Sequence, residues 1–185
     1  TGTGTFLVEV IDLIHKTLVA KWNAQGHNEK KIDALWNDYV PKHLLTRLYG
    51  YELLMAPYAI AHLKVGLKLY ETGYRFDSDE RARIYLTNAL EPVQDFSGRF
   101  EFAIPALAHE AESVNTVKRK CCFTVVIGNP PYAGHSSNNG DYATGLVHAY
   151  HYIDDAPLGE RNPKWLQDDY VKFIRFSELV LGRCQ

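Results

Sequence analysis

The feature that most constrains this chain is a short apolar run that ends in two prolines. Residues 123–127 are uninterrupted and rich in β-branched side chains, which predicts a buried strand of a parallel sheet. Gly128 and then Asn129-Pro130-Pro131-Tyr132 follow, and proline cannot continue a central strand because it has no backbone N–H. In open α/β sheets, ligands bind at the carboxyl ends of the strands. The tetrapeptide therefore predicts a site with hydrogen-bond acceptors and a stacking ring, which together suit a planar amine.

The rest of the chain alternates between helical and strand-like patterns. Apolar periodicity predicts helices over residues 6–22, 34–45 (interrupted near Pro41), 56–70, 103–117 and 168–181. Further strands are predicted over residues 48–53 and 83–87, and loops or turns over residues 23–33, 91–98, 135–145 and 159–163. This alternation is typical of the α/β class with a doubly wound parallel sheet.

Composition limits the kinds of function that are open to the chain. Its 185 residues suffice for one domain, and a net charge of −2 argues against strong nucleic-acid binding by this segment alone. Three cysteines (Cys121, Cys122 and Cys184) are an odd number, which predicts no disulfide framework and favours a reducing cytoplasmic location. The sequence predicts no membrane span and no signal peptide. It also predicts no metal site, because His148 and His151 lack convincing partner ligands. Residues 118–120 are expected to be a solvated basic run.

Three other segments carry polar groups where a nucleoside cofactor would need them. The loop Thr1-Gly2-Thr3-Gly4-Thr5-Phe6 opens a helix, whose free N–H groups can approach a ligand. Glu52, followed by Leu53, ends a strand and can accept hydrogen bonds from ribose hydroxyls. In the segment Asn88-Ala89-Leu90, the amide can pair with an adenine edge and Leu90 can cover the ring. Each segment alone also fits a tight turn, a solvated carboxylate or a helix cap, but their order along the chain favours the cofactor.

Taken together, these segments resemble the catalytic domain of γ-order amino-group DNA methyltransferases. Residues 1–7 are similar to the end of that family's glycine-rich cofactor loop, and residues 51–53, 86–90 and 129–132 are similar to its next three motifs. The phrases at residues 129–135, 159–166 and 168–176 resemble Type ISP restriction-modification enzymes, in which nuclease, helicase, methyltransferase and target-recognition parts share one polypeptide.

The resemblance implies a partial Rossmann-like fold that uses S-adenosylmethionine and lacks its first and last strands. Residues 1–90 would form the cofactor-binding half, and residues 91–185 would contain the catalytic strand and the helix after it. Because the chain opens inside the glycine loop, we expect it to be a piece of a larger bacterial enzyme. Its partners would be double-stranded DNA and the other domains of that polypeptide.

The resemblance also implies a reaction, which is methyl transfer to the N6 amine of an adenine extruded from the duplex. The side-chain oxygen of Asn129 and the carbonyl of Pro130 would accept hydrogen bonds from the amine, Pro131 would stiffen the turn, and Tyr132 would stack on the base. Two alternatives stay open. The same tetrapeptide occurs in methyltransferases that act on RNA guanine or on a protein glutamine, and the chain could instead be a non-catalytic scaffold of a DNA-processing protein.

Overall fold

The structure is a computed structural model, and it describes residues 1–93, 105–132, 136–154, 156–159 and 163–184. The chain divides into two compact units, Thr1–Thr87 and Asn88–Gln185. The sequence predicted a boundary between two halves of the chain at residues 90 and 91. Four predicted elements lie partly outside the described residues, namely the loop at 91–98, the helix at 103–117, the loop at 135–145 and the turn at 159–163.

The first unit is built around a parallel β-α-β arrangement. Its elements are helix α1 (Thr5–Ala24), helix α2 (Glu29–Tyr39), a π-helical turn (Val40–Leu44), strand β1 (Tyr49–Glu52), helix α3 (Met55–Glu71) and strand β2 (Arg83–Leu86). Strands β1 and β2 pair in parallel, with Tyr49 opposite Arg83 and Glu52 opposite Leu86. The predicted strands at 48–53 and 83–87 and the intervening helix are therefore confirmed.

The core of the first unit packs the two long helices and α2 around β2. Ile11 of α1, Trp36 of α2, Val65 of α3 and Ile84 of β2 are each at most 1% exposed. The indole N–H of Trp36 also donates to the hydroxyl of Thr72 at 3.1 Å, which ties α2 to the end of α3. Burial of apolar surface is the main term that holds these elements together.

The predicted loop at residues 23–33 is wrong in its second half, because α2 already begins at Glu29. The Asn28 side chain accepts a hydrogen bond from the backbone N–H of Lys31 at 3.0 Å, which is an N-cap contact. Pro41 lies inside the π-helical turn that extends α2, so the helix changes type there.

The second unit is mostly helical in the part that the structure describes. Its elements are helix α4 (Pro105–Lys120), helix α5 (Asp141–Leu146), a 3-10 turn (Val147–His151), the antiparallel pair β3 (Tyr152–Ile153) and β4 (Ala156–Pro157), a second 3-10 turn (Pro163–Gln167), helix α6 (Asp169–Leu181) and a third 3-10 turn (Gly182–Cys184). A small core of Leu90, Ala143 and Leu146 packs against aromatic side chains of α6.

The prediction of a buried strand at residues 123–127 is wrong. No strand forms there, and the exposed fractions of Val125, Val126 and Ile127 are 75%, 41% and 58%. A β-branched run supplies side chains that suit a buried strand. The strand also needs a neighbouring strand to pair its backbone N–H and C=O groups. Within the described residues the parallel sheet has two strands, so a doubly wound sheet stays a prediction.

Two further expectations also need correction. The predicted loop at 135–145 contains the start of α5 at Asp141, where the Asp lies in the first helical turn and complements the helix dipole. Cys122 is disulfide-bonded, whereas Cys121 is a free thiol. An odd cysteine count therefore did not exclude one disulfide.

Candidate functional site

The glycine loop of the first unit takes a conformation that only glycine adopts without strain. Gly2 and Gly4 have φ values of 58° and 79°, and Gly4 forms the N-cap of α1. A Cβ on Gly4 would lie 3.0 Å from the Cα of Ala61 in α3, whereas a Cβ on Gly2 would meet nothing within 4 Å. The loop is therefore packed on α3 at Gly4 and open at Gly2.

Glu52, at the end of β1, lies directly against this loop. Its Oε2 accepts a hydrogen bond from the backbone N–H of Gly2 at 2.6 Å, and its Oε1 accepts one from Leu54 N–H at 3.0 Å. The Thr1 nitrogen donates to the carbonyl of Tyr51 at 2.8 Å, so two residues of the loop contact the end of β1. The structure thus brings together two of the segments predicted to bind a cofactor, although they are 50 residues apart in sequence.

The surroundings of Glu52 fit the ribose and adenine of an adenosine-containing cofactor. A carboxylate oxygen offers two acceptor sites, and each oxygen of Glu52 uses one of them for a backbone N–H. A ribose hydroxyl would use the second acceptor site of an oxygen; Oε2 also lies 3.6 Å from the Thr1 nitrogen, and 11% of the Glu52 side chain is exposed. Leu53, Leu54 and Met55 follow with exposed fractions of 61%, 61% and 59%, which provides apolar surface next to the carboxylate.

The third predicted cofactor segment, residues 88–90, belongs to the second unit, where Asn88 and Leu90 make hydrogen bonds and core contacts. The Asn88 side chain accepts from Leu90 N–H at 3.0 Å and donates to the Asn138 side-chain oxygen at 2.9 Å. Leu90 is only 2% exposed and lies in the core, whereas Ala89 is half-buried. Binding of adenine by these three residues stays a prediction.

Lys118 departs from the expectation of a solvated basic run. Its exposed fraction is 8%, and its ammonium donates to the carbonyls of Asn88 at 2.7 Å and Glu91 at 3.1 Å. Burial lowers the pKa of Lys118, with the charge of Glu91 opposing the shift. This lysine therefore holds the 88–91 turn against α4, while Arg119 and Lys120 are exposed as expected.

The tetrapeptide that the sequence predicts to be catalytic lies on the surface of the second unit. Asn129, Pro131 and Tyr132 are exposed and Pro130 is half-buried, with Tyr132 reaching 76% exposure. The ring of Tyr132 stacks on that of Tyr170 in the first turn of α6, with centroids 5.0 Å apart and planes 21° from parallel. The Asn129 amide and the Tyr132 ring are thus accessible to a ligand.

A group of hydrogen-bonded polar residues on the first turn of α6, here named the α6 polar cluster, contains two buried and three half-buried side chains. Its members are Asn88, Ser136, Asn138, Asp169 and Lys172. Lys172 is fully buried and donates to Ser136 Oγ at 2.7 Å and to the Asn138 carbonyl at 2.6 Å. Asp169, at 4% exposure, accepts from the Ser136 hydroxyl and, at 3.0 Å, from the Asn138 side-chain amide. The cluster fixes residues 136–138 on the first turn of α6.

Sequence reasoning missed this cluster because its members resemble surface residues one by one. The sequence pattern placed Asp168 and Asp169 only at the start of a predicted helix, and Asp168 does accept a cap hydrogen bond from Tyr170 N–H at 2.9 Å. The one available signal was the spacing of Asp169 and Lys172, which are three residues apart and so share a helix face that apolar residues flank.

Other classes of site find no support in the described residues. Among them, no group of three His, Cys, Asp or Glu side chains is arranged to hold a metal ion. None of the helices in the described ranges is both long and apolar enough to cross a membrane.

Comparison with solved structures finds a similar fold in two Type ISP restriction-modification enzymes. No protein-family model matches the chain, and no curated protein matches it. The ATP-dependent Type ISP restriction-modification enzyme LlaBIII, solved bound to DNA, is similar with a TM-score of 0.66 and 19% identity, over 97% of this chain and 12% of that one. A nuclease-deletion mutant of the Type ISP enzyme LlaGI, in complex with a DNA substrate mimic, gives a TM-score of 0.68 and 20% identity, over 98% of this chain and 14% of that one. The chain thus shares the fold of a small segment of these enzymes.

Proposed function

We propose that this chain is part of a restriction-modification enzyme and contributes to methyl transfer from S-adenosylmethionine to the N6 amine of adenine in DNA. The observation that carries the proposal is the contact between Gly2 and Glu52, because it joins a glycine loop to a carboxylate at the end of a parallel strand. Backbone N–H groups beside such a carboxylate are the arrangement that binds the ribose of nucleoside cofactors.

DNA is the favoured substrate because both structural neighbours were solved with DNA or a DNA mimic. These neighbours therefore favour adenine in DNA over RNA guanine or a protein glutamine. A net charge of −2 means that the segment itself supplies little attraction for phosphates. We infer that other parts of the enzyme bind the duplex, as in a protein whose DNA recognition lies in a separate domain.

S-adenosylmethionine supplies an electrophilic methyl group when it is bound. Glu52 would hold the ribose through the acceptor sites that Gly2 and Leu54 leave open, and Leu53 would lie along the adenine of the cofactor. The Asn129 side-chain oxygen and the Pro130 carbonyl would accept hydrogen bonds from the two N–H groups of the target amine. These contacts favour a tetrahedral nitrogen whose lone pair is available to attack the methyl group. This is catalysis by positioning and fixed dipoles.

Binding of the cofactor can be tested directly with the 185-residue chain. We expect titration calorimetry with S-adenosylmethionine to give a dissociation constant that rises at least tenfold in Glu52→Gln, because a hydrogen bond to a charged group contributes about 1.5–3 kcal/mol. Glu9→Gln on the exposed face of α1 is the matched control and should bind like wild type. Equal affinity of the Glu52→Gln and wild-type chains, or no binding by wild type, would refute the assignment of this site.

Methyl transfer is tested by following labelled methyl groups from S-adenosylmethionine into DNA of mixed sequence. Asn129→Ala should lower the rate by about 100-fold or more, which is the usual loss when one preorganised polar contact to the reacting group is removed. Its affinity for the cofactor should stay within about twofold of wild type, since the residue contacts the amine and not the ribose. The control is Asn23→Ala, an exposed asparagine of α1. A variant at Asn129 that keeps the wild-type rate would contradict the proposal.

A further inference from the structure

The Tyr132 ring has one neighbour in the described part of the chain that stacks on it. Tyr170 covers one face at a centroid distance of 5.0 Å, while Tyr132 as a whole is 76% exposed. An aromatic ring has two faces, and Tyr170 lies against only one of them. The second face of Tyr132 can therefore accept another planar group.

The two rings differ in how firmly they are held. The backbone N–H of Tyr170 donates to the N-cap Asp168 at 2.9 Å, and Tyr170 itself is half-buried. Its neighbours Asp169 and Lys172 are buried and bind residues 136–138 through the α6 polar cluster. Tyr132 follows an exposed segment that forms no strand. Tyr170 is thus the anchored ring of the pair, and the position of Tyr132 follows from it.

We infer that Tyr170 is a positioning residue that holds Tyr132 ready to stack on an extruded adenine. The inference rests on the function proposed above, and it adds a residue of α6 to the base-binding site. A ring that is already ordered loses less conformational freedom when a base binds, so preorganisation strengthens binding without any direct contact from Tyr170 to the base. Ring stacking is also tolerant of the base that is bound, which leaves the choice of adenine to Asn129 and Pro130.

The first experiment tests the contact between the rings and does not depend on methyl transfer. In a chain with carbon-13-labelled tyrosine rings, the Tyr132 resonances are assigned by their loss in Tyr132→Phe. We expect ring-current upfield shifts in wild type and in the control Tyr170→Phe, and their loss in Tyr170→Leu. Tyr132 resonances that stay in place in Tyr170→Leu would overturn the inference whatever the fate of the proposed function.

The second experiment measures base binding with a thymidine oligonucleotide that contains one 2-aminopurine, whose fluorescence is quenched on stacking. We expect quenching by wild type and by Tyr170→Phe, none by Tyr132→Ala, and about three- to tenfold weaker binding by Tyr170→Leu. Hydrogen-exchange protection of α6 should be unchanged in Tyr170→Leu, which a general loss of structure in the second unit would not allow. Wild-type affinity for the oligonucleotide in Tyr170→Leu would overturn the inference alone, whereas no quenching by wild type would overturn the proposed function together with it.

Discussion

Replacing Lys172 with methionine should destabilise the second unit more than any surface substitution. Methionine keeps an unbranched stem of similar length but removes the ammonium that donates to Ser136 Oγ at 2.7 Å and to the Asn138 carbonyl at 2.6 Å. Asp169, at 4% exposure, would lose the only positive charge of the α6 polar cluster. The variant therefore leaves Ser136 Oγ and the Asn138 carbonyl without the Lys172 donor and removes a positive charge from the surroundings of the buried Asp169 carboxylate.

The expected loss in the free energy of unfolding is about 3 kcal/mol. Leaving a buried polar group without its hydrogen-bond partner costs about 1–3 kcal/mol, and the variant removes the Lys172 donor from two acceptors, Ser136 Oγ and the Asn138 carbonyl. We take a value near the lower end for two such acceptors because the Lys172 ammonium is itself penalised by burial, which lowers its pKa and which methionine relieves. Ser136 and Asn138 also keep their hydrogen bonds to Asp169, so the carboxylate stays partly satisfied.

Urea denaturation combined with peptide-resolved hydrogen exchange measures this loss and assigns it to a unit. We expect faster exchange at residues 136–139 and in the first turn of α6, with little change in α1 and α3. Lys120→Met is the matched control, because Lys120 is exposed, and it should change stability by less than about 0.5 kcal/mol. In the double variant Lys172→Met with Asp169→Asn, removal of the unpaired charge should recover part of the loss, as coupled neighbours do. A loss below about 1 kcal/mol in the single variant would refute the reasoning from the buried hydrogen bonds of Lys172.

The pH dependence of the same variant has a definite sign. Burial lowers the pKa of Lys172 below its ordinary value of 10.5, and the charges of Asp169 and Asp168 oppose that shift. Between the lowered folded-state pKa and 10.5, the unfolded chain binds more protons than the folded chain, so the free energy of unfolding rises with pH. Wild type should therefore gain stability relative to Lys172→Met as the pH approaches 10.5 from below. A relative loss of wild-type stability over this range would contradict the assignment of a desolvated ammonium.

The remaining predictions concern the two helix starts that carry the site. Gly4→Ala should lower the free energy of unfolding more than Gly2→Ala in urea denaturation, because both residues have positive φ but only Gly4 packs against Ala61; equal losses would show that the close approach is unimportant. Asp168→Ala removes the N-cap of α6, which should cost about 0.5–2 kcal/mol and speed exchange of the Tyr170 amide. Unchanged exchange at Tyr170 would argue that the cap does not hold the first turn.

The secondary structure of the first unit could be predicted closely from the sequence, because the sequence signals for its helices and strands are local and agree with one another. Glycines at 2 and 4, a long apolar period in α1 and Pro57 in the first turn of α3 each specify backbone geometry by themselves. The two predicted strands then needed only each other as partners, and they pair in parallel. The missed start of α2 had a local signal too, since Asn28 followed by Glu29 is a cap with an acidic first turn.

The second unit was harder to predict because its order depends on contacts between distant residues. Lys172 reaches Ser136 and Asn138, which precede it by 36 and 34 residues, and Asn88 joins the same group from 50 residues before Asn138. Apart from the spacing of Asp169 and Lys172 on one helix face, the sequence near these residues does not indicate burial, because Lys and Asp are usually exposed. The fully buried lysine is visible only once the helices are placed.

The tetrapeptide at residues 129–132 is held in place differently from what the sequence predicted. The sequence predicted that a buried strand before it would aim Asn129 and Tyr132, yet Val125 and Ile127 are exposed and form no strand. The ordered contacts lie after the tetrapeptide instead, in the stack of Tyr132 on Tyr170 and in the cluster around Lys172. A group that acts by positioning must be fixed to within about 1 Å. Under the proposed function, we therefore expect helix α6 to be the element on which the activity of this site depends. Substitutions in its first turn should therefore impair methyl transfer more than substitutions of equal size at residues 123–127.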